Sequence, residues 1–138
     1  MTLYLDTSSI VKLYVDEAGT RLVRDLVASA DVVATSVLAY AETRAALARL
    51  RRERLLSPSS FLAAKRQFER DWPHYLTVDV TDALSRAAGA LAEKHGLRGF
   101  GSLHLATFLE ILGRSDADDE VQFSSFDDRL NDAARTTG

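Results

Sequence analysis

Apolar and polar positions along the chain follow two periods, and the switches between them mark the elements. TLYLD (2–6) is a short apolar run that ends on an acid, which predicts a strand. SSIVKLYV (8–15) follows at helical spacing through Ile10, Val11, Leu13 and Tyr14. A second helix is expected over 19–29, with Leu22, Val23, Leu26 and Val27 on one stripe, and then a β-branched strand, DVVATS (31–36). From about Leu38 to Leu55 the chain is rich in Ala, Leu and Arg, all strong helix formers. Ser57-Pro58 marks a break and a new helix start, which runs to Trp72-Pro73. Leu76, Val78 and Val80 alternate as a third strand. Thr81-Asp82 opens a helix that reaches Lys94 and His95, and the segment after Gly99 opens another that ends near Gly113. RSDADDE (114–120) reads as an acidic loop, VQFSSF (121–126) as a fourth strand, and DDRLNDAAR as a closing helix.

Strands alternating with helices predict an α/β fold: a mostly parallel sheet of four to five strands with helices on both faces, in a three-layer sandwich. A chain of 138 residues suffices for one domain, and no repeat or linker divides it, so a single domain over 1–138 is expected. Apolar residues make up 46% and charged residues 27%, an ordinary globular balance. With no cysteine, disulfides, thiolate metal sites and cysteine nucleophiles are excluded, and a cytoplasmic location is expected. The stretch MTLYLDTSSIVKLYV carries Asp6 and Lys12 and no basic leader, so it reads as strand and helix rather than as a targeting segment. No apolar run approaches the length of a membrane span. A net charge of −3 leaves any polyanion binding to local patches.

In parallel sheets of this kind ligands bind beyond the carboxyl ends of the strands. Asp6 follows the first strand directly, Asp127 follows the fourth, and Glu42 lies one turn into the helix after the second. Carboxylates gathered without a cation repel one another, and oxygen-only ligands select hard divalent ions, Mg²⁺ or Mn²⁺. Each acid also has a plainer reading: Asp6 and Asp127 as helix caps, Glu42 as a solvated helix acid.

Four stretches in order, LYLDTSSIVKLYV, SVLAYAETRAAL, LRGFGSLHLATFLE and FSSFDDRLNDAAR, resemble the PIN-domain family, and within it the VapC toxins of toxin–antitoxin pairs. The resemblance covers nearly the whole chain. It implies a Mg²⁺- or Mn²⁺-dependent endoribonuclease in which a metal-activated water attacks phosphorus. Asp6 would be the central metal ligand, Glu42 the second acid and Asp127 the fourth, with Asp128 as an alternate one helical step away. Ser8 would be auxiliary, holding a metal-bound water or the backbone near Asp6. The family's third acid belongs in L-x-x-[YF]-D-[AS]-x-H-x-A, which here reads LRGFGSLHLA and puts Gly101 where Asp is expected. Losing a metal ligand should cost at least the roughly 10–100-fold that altered outer-shell partners cost. The expectation is therefore an impaired nuclease. The alternative is a non-catalytic PIN-like protein that binds RNA or an antitoxin. An aspartyl-nucleophile phosphatase is disfavoured because Thr7-Ser8 follows Asp6 where a D-x-D motif would place its second acid.

Arg44, Arg49, Arg51, Arg52 and Arg54 crowd the segment after Glu42, offset only by Glu53, and offer a candidate contact for an RNA backbone. His104 falls on an apolar helix face and reads as a packed histidine with a satisfied hydrogen bond. The resemblance further implies a VapB-like antitoxin as partner, whose tail carries a basic residue into the acidic site, and a homodimer; no membrane is implied.

Overall fold

The computed structural model describes residues 1–137. Four parallel strands, β1 (Thr2–Leu5), β2 (Val32–Ser36), β3 (Leu76–Val78) and β4 (Val121–Ser124), lie in the order β3-β2-β1-β4. Seven α-helices connect and flank them: α1 (Thr7–Tyr14), α2 (Thr20–Ser29), α3 (Ala39–Arg52), α4 (Pro58–Asp71), α5 (Asp82–His95), α6 (Gly99–Arg114) and α7 (Asp128–Thr137). A 3₁₀ turn over Trp72–His74 joins α4 to β3.

β1 is central, and its residues Leu3, Tyr4 and Leu5 are wholly buried. Successive side chains on a strand point to opposite faces. Leu3 and Leu5 accordingly join Ile10, Val23 and Phe68 beneath α1, α2 and α4, while Tyr4 joins Leu105, Phe108 and Leu130 beneath α6 and α7. α5 packs on α6 through Leu84, Ala88 and Ala106, outside the second layer.

The expected elements form, with displaced ends. Val80 lies outside β3 because its partner strand β2 has already ended: the last pair is Ser36 with Val78. α3 stops at Arg52 rather than Leu55, and Arg54 takes the left-handed conformation (φ 60°) that turns the chain back. α6 starts at Gly99 with Arg98 as its cap residue, so Gly101 stands inside the first turn.

Candidate functional site

The register brings the ends of β1 and β4 together: Leu5 pairs with Ser124, so the residues that follow each strand, Asp6 and Ser125, are neighbours. Asp6 has extended backbone (φ −80°, ψ 176°) and caps α1, its Oδ1 accepting the Ser9 N–H at 3.1 Å. The same oxygen accepts the Ser8 hydroxyl at 2.6 Å, and Oδ2 accepts the Ser125 hydroxyl at 2.6 Å. Asp6 is 5% exposed, and both of its oxygens are engaged.

Ser8 and Ser125 also fix the loop between β4 and α7. Ser8 Oγ accepts the Phe126 N–H at 2.9 Å, and Ser125 Oγ accepts the Asp127 N–H at 3.0 Å. Asp127 caps α7 through Oδ1, which accepts the Leu130 N–H at 3.1 Å, and its side chain is otherwise open to solvent. The plain reading of Asp6 and Asp127 as caps therefore holds, and the caps stand side by side at the carboxyl edge of the sheet. Asp128, the first residue of α7, is exposed.

Glu42 lies in the first turn of α3 and is held from the other side. Its Oε1 accepts the Thr7 hydroxyl at 2.6 Å and faces His104 Nε2 at 2.9 Å. His104, 3% exposed on α6, has its other ring nitrogen 2.8 Å from the wholly buried Tyr4 hydroxyl. A carboxylate only accepts, so the Nε2–H tautomer fits, with the Tyr4 hydroxyl donating to Nδ1. Burial pushes the Tyr4 phenol well above its usual range, which keeps it a donor. Burial pushes Glu42 up, but the hydrogen bonds from His104 and Thr7 outweigh it and hold the carboxyl below its ordinary range. His104 is thus packed and satisfied, as its place on an apolar face suggests, and one of its partners is a candidate site acid.

Glu42, Arg98, Phe100, Gly101 and Asp127 line one open hollow of about 440 Å³. A Cβ at position 101 would lie 3.9 and 4.0 Å from the Leu130 methyls, ordinary contact, so the hollow has room for a side chain there. Among the described residues no three His, Asp or Glu side chains converge as a group able to hold a metal ion. As they stand, Glu42 and Asp127 offer the hollow two carboxylates, hard oxygen donors of the kind a divalent ion takes, and Gly101 offers none.

The acidic loop gives no substitute. Asp116, Asp118 and Asp119 precede β4, whose first residue Val121 pairs with Thr2, at the opposite edge of the sheet. The arginines after Glu42 divide. Arg44 bonds Glu69 and the Tyr40 hydroxyl, and Arg51 covers the Phe61 ring; both turn toward α4. Arg49, 4.0 Å from Glu53, lines a second hollow with Thr7, Ser8, Lys12 and Phe126, next to the acids. Arg52 is exposed at the end of α3. Sequence reasoning missed Thr7 and Ser125 as carriers of the acids. The available signal was hydroxyl residues flanking each strand-ending acid, the usual place for side chain-to-backbone bonds.

The PIN domain family profile matches residues 3–135. Two curated proteins from strains of Mycobacterium tuberculosis, ribonuclease VapC45 and ribonuclease VapC49, are each 36% identical to this chain over 135 residues, spanning 98% of it and 90% of the relative. The crystal structure of M. tuberculosis VapC20, described as a Sarcin-Ricin loop cleaving toxin, superposes with a TM-score of 0.69 at 22% identity, over 95% of this chain and 94% of that one. FitAcB from Neisseria gonorrhoeae superposes with a TM-score of 0.65 at 19% identity, over 96% and 93%. At such identities these two structures speak for the fold alone. No helix among the described residues is long and apolar enough to cross a membrane. Profile, relatives and fold agree that the chain belongs to the PIN-domain family and, within it, to the VapC branch.

Proposed function

We propose that this chain is a VapC-type endoribonuclease toxin whose metal centre, on Asp6, Glu42 and Asp127, is impaired by Gly101. One observation carries the reading. Glu42, Gly101 and Asp127 border the same hollow, and the glycine leaves room where a further acid would complete the set. The relatives' name, ribonuclease, supports RNA as substrate. Mg²⁺ or Mn²⁺ is the ion the oxygen-only donors select. Asp6, with both oxygens engaged, organises the edge; Glu42 and Asp127 present carboxylates to the hollow. The same reading assigns a VapB-like antitoxin as partner, which the acidic hollow suits electrostatically, and a homodimer.

The test is cleavage of RNA by the purified chain and by a Gly101→Asp variant with Mg²⁺ or Mn²⁺. An Asp6→Ala change in the Asp background and an EDTA arm exclude contaminating nuclease. The Asp variant is expected to cut at least about 10–100-fold faster, the scale set by perturbing the support of a metal site. Equal cutting by the unsubstituted chain sinks the impairment.

A second reading is favoured by the same glycine: a non-catalytic PIN-like protein that binds RNA or an antitoxin. Under it neither version cuts, and the unsubstituted chain still binds its partner.

A further inference from the structure

A hollow of about 670 Å³ lies at the amino edge of the sheet, the end opposite the acids. Val32 and Val33, which open β2, and Leu76, which opens β3, border it. α1 contributes Leu13 and Tyr14, α2 Val27 and α4 Asp71. None of its residues borders the hollow of Glu42 and Asp127. A cleft of roughly 300–1,000 Å³ with apolar walls and a few convergent polar groups has the make-up of a small-molecule site.

The polar groups converge on Asp71, the last residue of α4. The Tyr14 hydroxyl donates to its Oδ2 at 2.8 Å, and Gln67 Nε2 donates to its Oδ1 at 3.0 Å. The hydroxyls of Tyr14 and Tyr75 also bond each other. Tyr14 has one proton and gives it to Asp71, so Tyr75 is the donor in that bond. Burial pushes both phenols up, Tyr75 to about 12, so each keeps its proton. Both hydroxyl protons are therefore spent inside the cluster. What it leaves open are lone pairs, on the Tyr75 oxygen and on the Asp71 carboxylate.

The charge of Asp71 is also uncompensated. Its donors are a hydroxyl and an amide, and among the described residues no ammonium or guanidinium pairs with it. The other carboxylate of the hollow, Asp31, already holds the Met1 amino group at 2.5 Å. No lysine or arginine borders the hollow, and its one imidazole, His74, is exposed. A ligand here has to donate, and a charged donor bonds a carboxylate about twice as strongly as a neutral one.

We infer that this hollow binds a small organic cation: a primary ammonium, donating to Asp71 and the Tyr75 oxygen, on an apolar body that lies against Leu13, Val27, Val33 and Leu76. The inference stands apart from the nuclease reading, since none of these residues belongs to the acid site.

Trp72, the chain's one tryptophan, has its ring 6.0 Å from that of Tyr75 and supplies the signal. Its fluorescence is followed as phenethylamine is added, with phenethyl alcohol (alike in shape but neutral) and hydrocinnamate (an anion) at equal ionic strength. The amine is expected to saturate with a Kd of about 1 mM or tighter, a modest efficiency for so small a ligand. The alcohol should bind at least about 5-fold more weakly, and the anion not measurably. Asp71→Asn should abolish the preference, leaving amine and alcohol alike. Tyr75→Phe keeps the ring, loses the acceptor and should weaken the amine about 10-fold. Leu55→Ala, exposed in the loop before α4 and so at the other end of that helix from Asp71, should leave the affinity unchanged. Circular dichroism checks folding, and amide NMR shifts of the unsubstituted chain, expected at residues 13–14 and 71–76, locate the ligand without any variant. Failure of the amine to saturate, equal binding of the alcohol, a preference that survives Asp71→Asn, or shifts centred on Glu42 and Asp127 overturns the inference. Binding of Nα-acetyl-lysine methylamide without binding of phenethylamine gives the hollow to a protein's lysine and overturns it as well.

Discussion

A Gly101→Asp substitution has an effect on stability that separates two contributions, one intrinsic and one carried by a cation. Sterically it is free: the new Cβ meets the Leu130 methyls at 3.9 and 4.0 Å. Replacing glycine inside a helix by aspartate gains about 0.3 kcal/mol in propensity. A negative charge in the first turn of α6, which has no acid there now, gains about 0.3–1 kcal/mol against the helix dipole. Against this, the new carboxylate shares its hollow with Glu42 and Asp127. Where solvent screens fully, as it does at the exposed Asp127, two like charges 4 Å apart cost about 1 kcal/mol, and less further apart. The three contributions nearly cancel, so in EDTA the melting temperature should move little. A divalent cation reverses the sign of the repulsion. At about a hundredfold over its Kd it stabilises the folded state by ~2.7 kcal/mol. For a chain of this size each kcal/mol moves Tm by about 3–4 °C, so the variant should gain roughly 8–11 °C at that saturation. Differential scanning fluorimetry with a Mn²⁺ or Mg²⁺ titration reads this directly. The unsubstituted chain, lacking the acid, should shift far less. If it shifts as much, or if the variant does not shift at all, position 101 is not where a metal ligand is missing.

Three further outcomes follow from the same contacts. Glu42 titrates below its ordinary 4.5 in the folded state, so its contribution is present above that value and lost as pH falls through the lower folded value. Urea titrations from pH 6 downward should therefore show a steeper acid loss for the unsubstituted chain than for Glu42→Gln, and parallel curves would refute this. Tyr4→Phe strips a donor from the buried His104 ring and should cost about 1–3 kcal/mol. Adding His104→Leu should then cost less than it does alone, and strict additivity in that double-mutant cycle would show the contact carries no coupling. Thr43 is wholly buried with no partner for its hydroxyl among the described residues, so Thr43→Val should raise stability by about 0.5–1 kcal/mol in urea unfolding; a loss would refute it.

The parts of the fold that were legible are those with a local cause. Ser57-Pro58 reads as a helix start, and Ser57 caps α4 through the Ser60 N–H. Thr81 does the same for α5. The three candidate acids could be singled out because each follows a strand or lies one turn into the helix after it, where a parallel sheet presents its ligand edge. The parts that were not legible depend on a partner far away. α6 begins at Gly99 behind Arg98, whose side chain makes no capping bond, so nothing in its chemistry marks the boundary. The length of β3 is set by where β2 ends, and the end of α3 by a left-handed arginine with no glycine or proline to announce it. The chain from Tyr4 through His104 to Glu42, and the hydroxyl of Ser125 on Asp6, span up to 119 residues and exist only once the sheet is built. Arg44 and Arg51 look like their neighbours in the sequence, and only packing against α4 turns them away from the site.

The pairing of β1 with β4 also fixes the order in which the site can come into being. The first strand waits for the last, and contacts so distant in sequence form late in folding because the chain between must be closed up first. During synthesis Asp6 and Glu42 emerge well before Ser125, Asp127 and the strand that carries them toward Asp6. A growing chain is thus an open sheet with an unfinished edge. On the nuclease reading, a nascent chain has no assembled edge with which to act on RNA until β4 and the loop after it have been made and have paired with β1.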